Sequence, residues 1–347
     1  IKKTKGVKSE RTRKILEIQR EWTEQLKKCD EVELYIIKST VIIAGTCTGF
    51  VSNRIIRDVE FDYVIVDEAA KATFPELAVS LNKAHKIILV GDHQQLPPVL
   101  DTEIIRNNKE KLDEEGLAQG IFERMYNMFP EDNKHRLTIQ YRMHPTIGTL
   151  ISHVFYNDEI QNGVEAQDRE LCIEGYEGIA IEWISTSKYS TKERYEKEFD
   201  NNGKKSYQNY LERNIIERKL LELDSKLVKR TKVAVITGYG SQKYILQTMV
   251  KQHSFKHIEV DVDTVDAFQG SQKDIILYST VRSSGNKYGI GFLKSEARIN
   301  VAFSRARCLL IIVGDMKFLD NYKIRGNKFP EIIKYITESE GCRITEK

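Results

Sequence analysis

Tyr63-Val64-Ile65-Val66-Asp67-Glu68-Ala69-Ala70 and Lys86-Ile87-Ile88-Leu89-Val90-Gly91-Asp92 decide the fold class. Each is a short, β-branched apolar run that ends in a carboxylate. Near-continuous apolar runs suit strands buried on both faces of a parallel sheet. Between them, Pro75–Leu81 reads as a helix with proline in its first turn. Strand, helix and strand on short links make an α/β layer fold. Thr40-Val41-Ile42-Ile43-Ala44-Gly45 reads as a further strand of the same kind.

Upstream, the first ten residues are basic and polar, a frayed end. Ile15, Ile18, Trp22, Leu26 and Cys29 then recur at spacings of three and four, one apolar stripe on a helix. That helix either packs on a domain surface or forms a stalk for an inserted subdomain. Downstream, Pro130-Glu131-Asp132-Asn133-Lys134 is a polar break and the expected domain boundary. The expected organisation is a helical segment over 1–39, a first α/β unit over 40–133 and a second over 134–347. Strands are expected at Leu137–Gln140, Ile179–Ile184, Lys232–Thr237, Ile258–Val262, Asp274–Val281 and Cys308–Val313. Residues 185–209 read as a solvated, mobile loop that leads into a helix over about 208–228.

The length of 347 residues allows about two domains. A net charge of +3, from 54 basic and 51 acidic residues, confines any nucleic-acid face to a local patch. The five cysteines form no CxxC pair, so neither a zinc site nor a disulfide framework is expected, and a reducing intracellular compartment fits. No apolar stretch approaches the roughly 18 residues of a membrane span. The chain does not begin with Met and reads as part of a longer protein, expected to be a monomer.

The chemistry lies in five tracts. Asp67-Glu68 ends a buried strand, the end that faces the ligand crevice in parallel sheets. Asp67 can hold Mg²⁺ through water, and Glu68 can orient or deprotonate an attacking water. Gly91-Asp92-His93-Gln94-Gln95-Leu96-Pro97-Pro98 repeats that logic on the next strand, with Gln95 placed to sense a γ-phosphate. Tyr141-Arg142 and Arg305 with Arg307 bring guanidiniums, which pair with the charge that phosphoryl transfer builds. Asp266-Ala267-Phe268-Gln269-Gly270 allows a tight turn near a ligand at Gly270. Each tract also has a plain reading as a turn, a connector or a surface salt bridge; the ordered set is more specific than any member. Neither Thr237-Gly238-Tyr239-Gly240-Ser241-Gln242-Lys243 nor Gly203-Lys204-Lys205-Ser206 forms a phosphate-binding loop, because neither ends in Gly-Lys-Ser/Thr after a strand.

In that order, from about Thr40 to Asp315 and with Gly291-Phe292-Leu293 before Arg298–Arg307, the tracts resemble a superfamily 1B helicase. The branch is the one that includes the nonsense-mediated-decay helicase and senataxin. The resemblance implies two RecA-like parallel-sheet lobes, the first incomplete, with ATP between them and a single strand of RNA or DNA across both. It implies Asp67 as the Mg²⁺ carboxylate, Glu68 as the catalytic base and Gln95 as the γ-phosphate sensor. It further implies Arg142 and Arg305 as arginine fingers, Gly270 near the γ-phosphate and Tyr141 beside the adenine. Thr46, Thr237 and Tyr239 match its nucleic-acid contacts. The chain departs from the family in four places: it has no Walker A segment, Gly238 stands where proline is usual, Gln272 stands where some relatives carry Glu near the ribose, and Ala297-Arg298 replaces the usual Arg-Arg before the last motif. The expectation is therefore an ATP-dependent helicase in the full-length protein, with these residues alone inactive. The rival is a non-catalytic module that binds nucleic acid or a partner.

Overall fold

The computed structural model describes residues 2–26, 30–56, 59–99, 120–201, 204–268, 270–284 and 289–346. Cys29, Gly203 and Gln269, named above, lie outside the described residues. The chain forms two compact units. One holds residues 1–93 and 97–128, and the other holds 94–96 and 129–347.

In the first unit, helices run over Lys2–Leu26 and Asp30–Ser39, so the expected frayed end is helical from Lys2. Ile15, Ile18 and Trp22 form an exposed stripe rather than a packed one. Strands β1 (Phe61–Val66) and β2 (Ala84–Leu89) pair in parallel, Phe61 opposite Ala84 through Val66 opposite Leu89. The helix Phe74–Leu81 links them. Its entry is a capping box in which the Glu76 carboxylate accepts both the Thr73 N–H and its hydroxyl at 2.8 Å. Val66, Ala69, Leu77 and Phe122 make a small core. The strand expected over Thr40–Gly45 does not form. A strand exists through a ladder partner, and among the described residues β1 and β2 pair only with each other, leaving Val41 98 % and Ile42 81 % exposed.

The second unit is built on a six-stranded, wholly parallel sheet. Its strands are β5 (Ile181–Ser185), β8 (Thr231–Thr237), β9 (Ile258–Thr264), β10 (Lys273–Ser279), β11 (Ala306–Gly314) and β12 (Cys342–Glu346), in the order β12-β5-β11-β10-β8-β9. Side chains alternate between two cores. Ile276, Tyr278, Leu310 and Ile312 face one side, where helices Pro145–Phe155, Glu296–Phe303 and Phe329–Glu338 pack. Ile275, Leu277, Leu309 and Ile311 face the other, under helices Tyr210–Lys226 and Gly240–Val250. Helices on both faces explain why these strands read as unbroken apolar runs. Trp183 of β5 is fully buried, and its indole N–H donates to Gly314 O at 3.1 Å.

Two expectations change here. Of Leu137–Gln140, only β3 (Ile139–Gln140) is a strand, and it pairs with β4 (Gln161–Asn162) outside the main sheet. The described residues of 185–209 do not form the expected loop. They hold a helical turn, Thr191–Arg194, and an antiparallel hairpin of β6 (Lys197–Asn201) and β7 (Lys204–Gln208). Tyr207 and Asn209 at its end are buried, so packing overrides the polar composition.

Candidate functional site

Asp67 and Glu68 directly follow β1, and both are exposed. Glu68 has φ 54, a left-handed backbone that costs a residue with a Cβ roughly 1–2 kcal/mol. Asp67 Oδ1 accepts the Glu68 N–H at 3.0 Å, and Ala69 N–H donates to Val90 O at 2.8 Å, stitching the turn to the chain after β2. Gly91 lets this happen, because a Cβ there would stand 2.8 Å from the Ala70 nitrogen. Two outward oxygen donors at a strand end fit Mg²⁺, which needs one or two carboxylates and keeps several waters. Thr46, also exposed, caps the helix Cys47–Ser52 by accepting the Gly49 N–H at 3.0 Å.

In the second unit, expected residues converge at the amino ends of β10 and β11. Arg305 is 2 % exposed. Its Nη2 donates to Gln95 Oε1 at 3.2 Å, its Nη1 to Ser271 O at 3.3 Å and its Nε to Val301 O at 3.1 Å. Ser271 sits between Gly270, at φ 77, and the exposed Gln272, while Lys273 N–H donates to Arg305 O at 3.1 Å. Arg142 reaches the same turn, with Nη1 donating to Ser304 O at 3.2 Å. Tyr141 beside it presents its ring to solvent, 63 % exposed, over Gly163, where any Cβ would collide with that ring.

Other residues, to which the sequence assigned no role, shape this cluster. Gln140 Oε1 accepts the N–H groups of Arg142 and Met143 at 2.9 and 2.8 Å, folding the Tyr-Arg-Met turn. Arg169 fixes it from outside, with Nε donating to Arg142 O at 2.8 Å and Nη2 to Tyr141 O at 2.7 Å. Asn300 Nδ2 donates to Gln94 O at 3.0 Å and so anchors the segment that carries Gln95. Burial holds the His144 imidazole below its usual pKa against the opposing charge of Glu170, and its Nδ1 accepts the Thr146 N–H at 3.2 Å. Gln140 closes the expected strand Leu137–Gln140 and Asn300 lies within Arg298–Arg307, whereas Arg169 carries no sequence signal.

Thr237 and Tyr239 stand at the opposite, carboxyl end of the sheet, roughly 20 Å along a seven-residue strand. Thr237 is fully buried, its hydroxyl without a hydrogen-bond partner, and Tyr239 is 3 % exposed. Burial pushes the Tyr239 phenol up to about 12. Neither side chain is offered to a ligand in this conformation. At the same edge lies a polar knot. Buried Glu212 accepts from Ser279 Oγ at 2.6 Å, Thr280 Oγ1 at 3.1 Å and Val281 N at 2.9 Å. Asn209 Nδ2 donates to Val281 O at 3.0 Å. Between them Val281 is held at φ 68, a genuine outlier for a β-branched residue.

Two AAA-domain family models match the chain, over residues 1–103 and 117–317, the second more than half its length. The chain belongs to the AAA-domain family. It is 35% identical over 301 residues to a "Regulator of nonsense transcripts 1 homolog" of Drosophila melanogaster, covering 85% of this chain and 24% of that protein. It is 34% identical over 299 residues to "ATP-dependent helicase NAM7" of Saccharomyces cerevisiae, covering 85% and 29%. An uncharacterized ATP-dependent helicase of Methanocaldococcus jannaschii is 29% identical over 98% of this chain and 48% of its own length. The chain thus spans about a quarter of the length of the first two. Among solved structures, the PRRSV helicase aligns over 72% of this chain and 34% of its own at 17% identity, with a TM-score of 0.35. The likeness to nonsense-transcript helicases expected from the five tracts is borne out. No described helix is long and apolar enough to cross a membrane.

Proposed function

We propose that the chain is the part of an ATP-driven nucleic-acid translocase that carries its acidic pair, its phosphate sensor and its arginines. Residues 40–133 and 134–347 act as its two lobes, inside the cell. ATP and Mg²⁺, when bound, supply the scissile phosphoanhydride and neutralise its charge. Asp67 would hold the metal, and Glu68 orients the attacking water and takes its proton at the carboxylate. Arg305 and Arg142 neutralise charge on the equatorial oxygens, Gln95 reports the γ-phosphate to Arg305, and Gly270 lets the backbone approach. Tyr141 lies against the adenine, and Gln272 lies near the ribose. Thr46 contacts the strand, with Thr237 and Tyr239 behind the surface that continues its path.

The observation that carries this reading is the hydrogen bond from Arg305 Nη2 to Gln95 Oε1 at 3.2 Å, between tracts 210 residues apart. A glutamine that reads a phosphate is useful only if something hears it, and a dry, aligned guanidinium is that listener. A second reading is a strand-binding module without turnover. The test uses the full-length protein with single-stranded RNA and DNA. Glu68→Gln should abolish ATP turnover while ATP binding persists, and Arg305→Ala should lower it about 10³-fold or more. Turnover retained in Glu68→Gln refutes the catalytic assignment; no turnover in the wild type selects the binding module.

A further inference from the structure

A row of cations and rings crosses the carboxyl edge of the second sheet. Its inner end is Arg282, wholly buried, with its guanidinium 4.0 Å from the centre of the Tyr207 ring. Tyr207 meets Tyr239 edge to face at 5.4 Å, and Tyr239 meets Phe292 in the same way at 5.2 Å. The outer end is Arg298, with its guanidinium 4.9 Å from the Phe292 ring centre and its Nη2 3.4 Å from Asp266 Oδ1, a carboxylate that a bound phosphate would compete with. The inner members are sealed, whereas Phe292 is 44 % exposed.

That exposure is built. Ile290 and Leu293, two residues before and one after, are each only 1 % exposed. Anchors on both sides leave Phe292 held in place yet outside the core. Gly289 and Gly291 take positive φ of 57 and 56, and a Cβ at Gly291 would strike the Tyr239 hydroxyl. Phe292 lies over Gly238, whose added Cβ would stand 3.4 Å from the Phe292 Cβ. The bed beneath is stiff, because Val281 packs with Tyr207 and Tyr239 and is itself pinned by Glu212 and Asn209. An ordered aromatic ring left open beside a cation, at strand carboxyl ends, is what a sequence-tolerant contact to an unpaired base requires.

We propose that Phe292 stacks on a base of single-stranded nucleic acid and that Arg298 pairs with the adjoining phosphate. The surface role expected of Tyr239 thereby passes to the ring that covers it. This inference rests on the strand-binding reading above. The test measures fluorescence anisotropy of labelled oligo-dT and oligo-rU with the full-length protein over a series of salt concentrations. Phe292→Leu, which keeps apolar cover on Tyr239 but removes the ring, should bind roughly 10-fold more weakly, in line with the loss of one base stack. Phe292→Trp should restore binding. Arg298→Gln should flatten the slope of log affinity against log salt by about 0.7, one phosphate contact on a single strand. Binding by Phe292→Leu within two-fold of a wild type that does bind overturns this proposal alone. A wild type that binds neither oligonucleotide overturns the strand-binding reading and this proposal with it.

Discussion

Replacing Glu212 by glutamine should change how the stability of the protein depends on pH. The carboxyl has no exposed surface and accepts from Ser279, Thr280 and Val281, with the like charge of Glu196 acting on it. Burial pushes its pKa up from 4.5 to about 8, outweighing the three donated hydrogen bonds, and Glu196 adds to the rise. The folded protein therefore binds this proton more tightly than the unfolded chain does. The resulting stability is complete below about pH 4.5 and is lost as pH rises through about 8. At roughly 1.4 kcal/mol per unit, the loss reaches about 4 kcal/mol by pH 8. Glutamine imitates the neutral acid but offers only one carbonyl to three donors, a fixed cost of about 1–3 kcal/mol. Urea midpoints of wild type and Glu212→Gln, measured from pH 5 to 9, should converge or cross as pH rises. A gap that stays constant over that range would refute the argument, since it would mean that Glu212 keeps one protonation state in both folded and unfolded chains.

Asp224 should behave in the opposite sense. Burial raises its pKa, but the backbone N–H groups of Lys256, His257 and Ile258, at 2.9, 2.6 and 3.0 Å, outweigh it and hold the carboxyl below its usual range. Its contribution is present above the unfolded pKa and lost as pH falls, so Asp224→Ala should cost about 1–3 kcal/mol at pH 7 and less near pH 3, read by urea midpoints. Gly163→Ala should push the Tyr141 ring from its seat and weaken binding of a fluorescent ATP analogue to the full-length protein several-fold, with a thermal midpoint within a few degrees of the wild type.

The sheet of the second unit was legible because strands buried on both sides leave unbroken apolar runs, as in Ile275–Tyr278 and Leu309–Val313. β12 escaped notice: it lies at the sheet edge, and Arg343 and Thr345 spend their polarity on Glu182 of β5, a pairing invisible along the chain. The hairpin of β6 and β7 looked like solvent-exposed loop because its lysines and acids satisfy one another, as Lys205 does Glu198 at 2.6 Å. Thr40–Gly45 had the residues of a strand but, among the described residues, no strand that pairs with it. At the site, the residue types of Asp67, Gln95, Arg142 and Arg305 showed their chemistry, whereas Arg169 and Asn300 act only through contacts made by folding. Tyr239 shows the opposite failure: a ring in the right tract says nothing about whether another ring covers it.

Gln94, Gln95 and Leu96 belong to the second unit although the chain on either side of them belongs to the first. Leu96 is buried in the large core beside Met143 and Ile147. A gene truncated to start at residue 129 would therefore yield a product with a vacancy where Leu96 sat and an Arg305 missing one of its acceptors. Stopping at residue 128 would instead leave that leucine stranded in water. Dissection of this protein into separately expressed halves has to carry the tripeptide along, for instance by grafting it through a short linker, or else accept a sticky, weakened product.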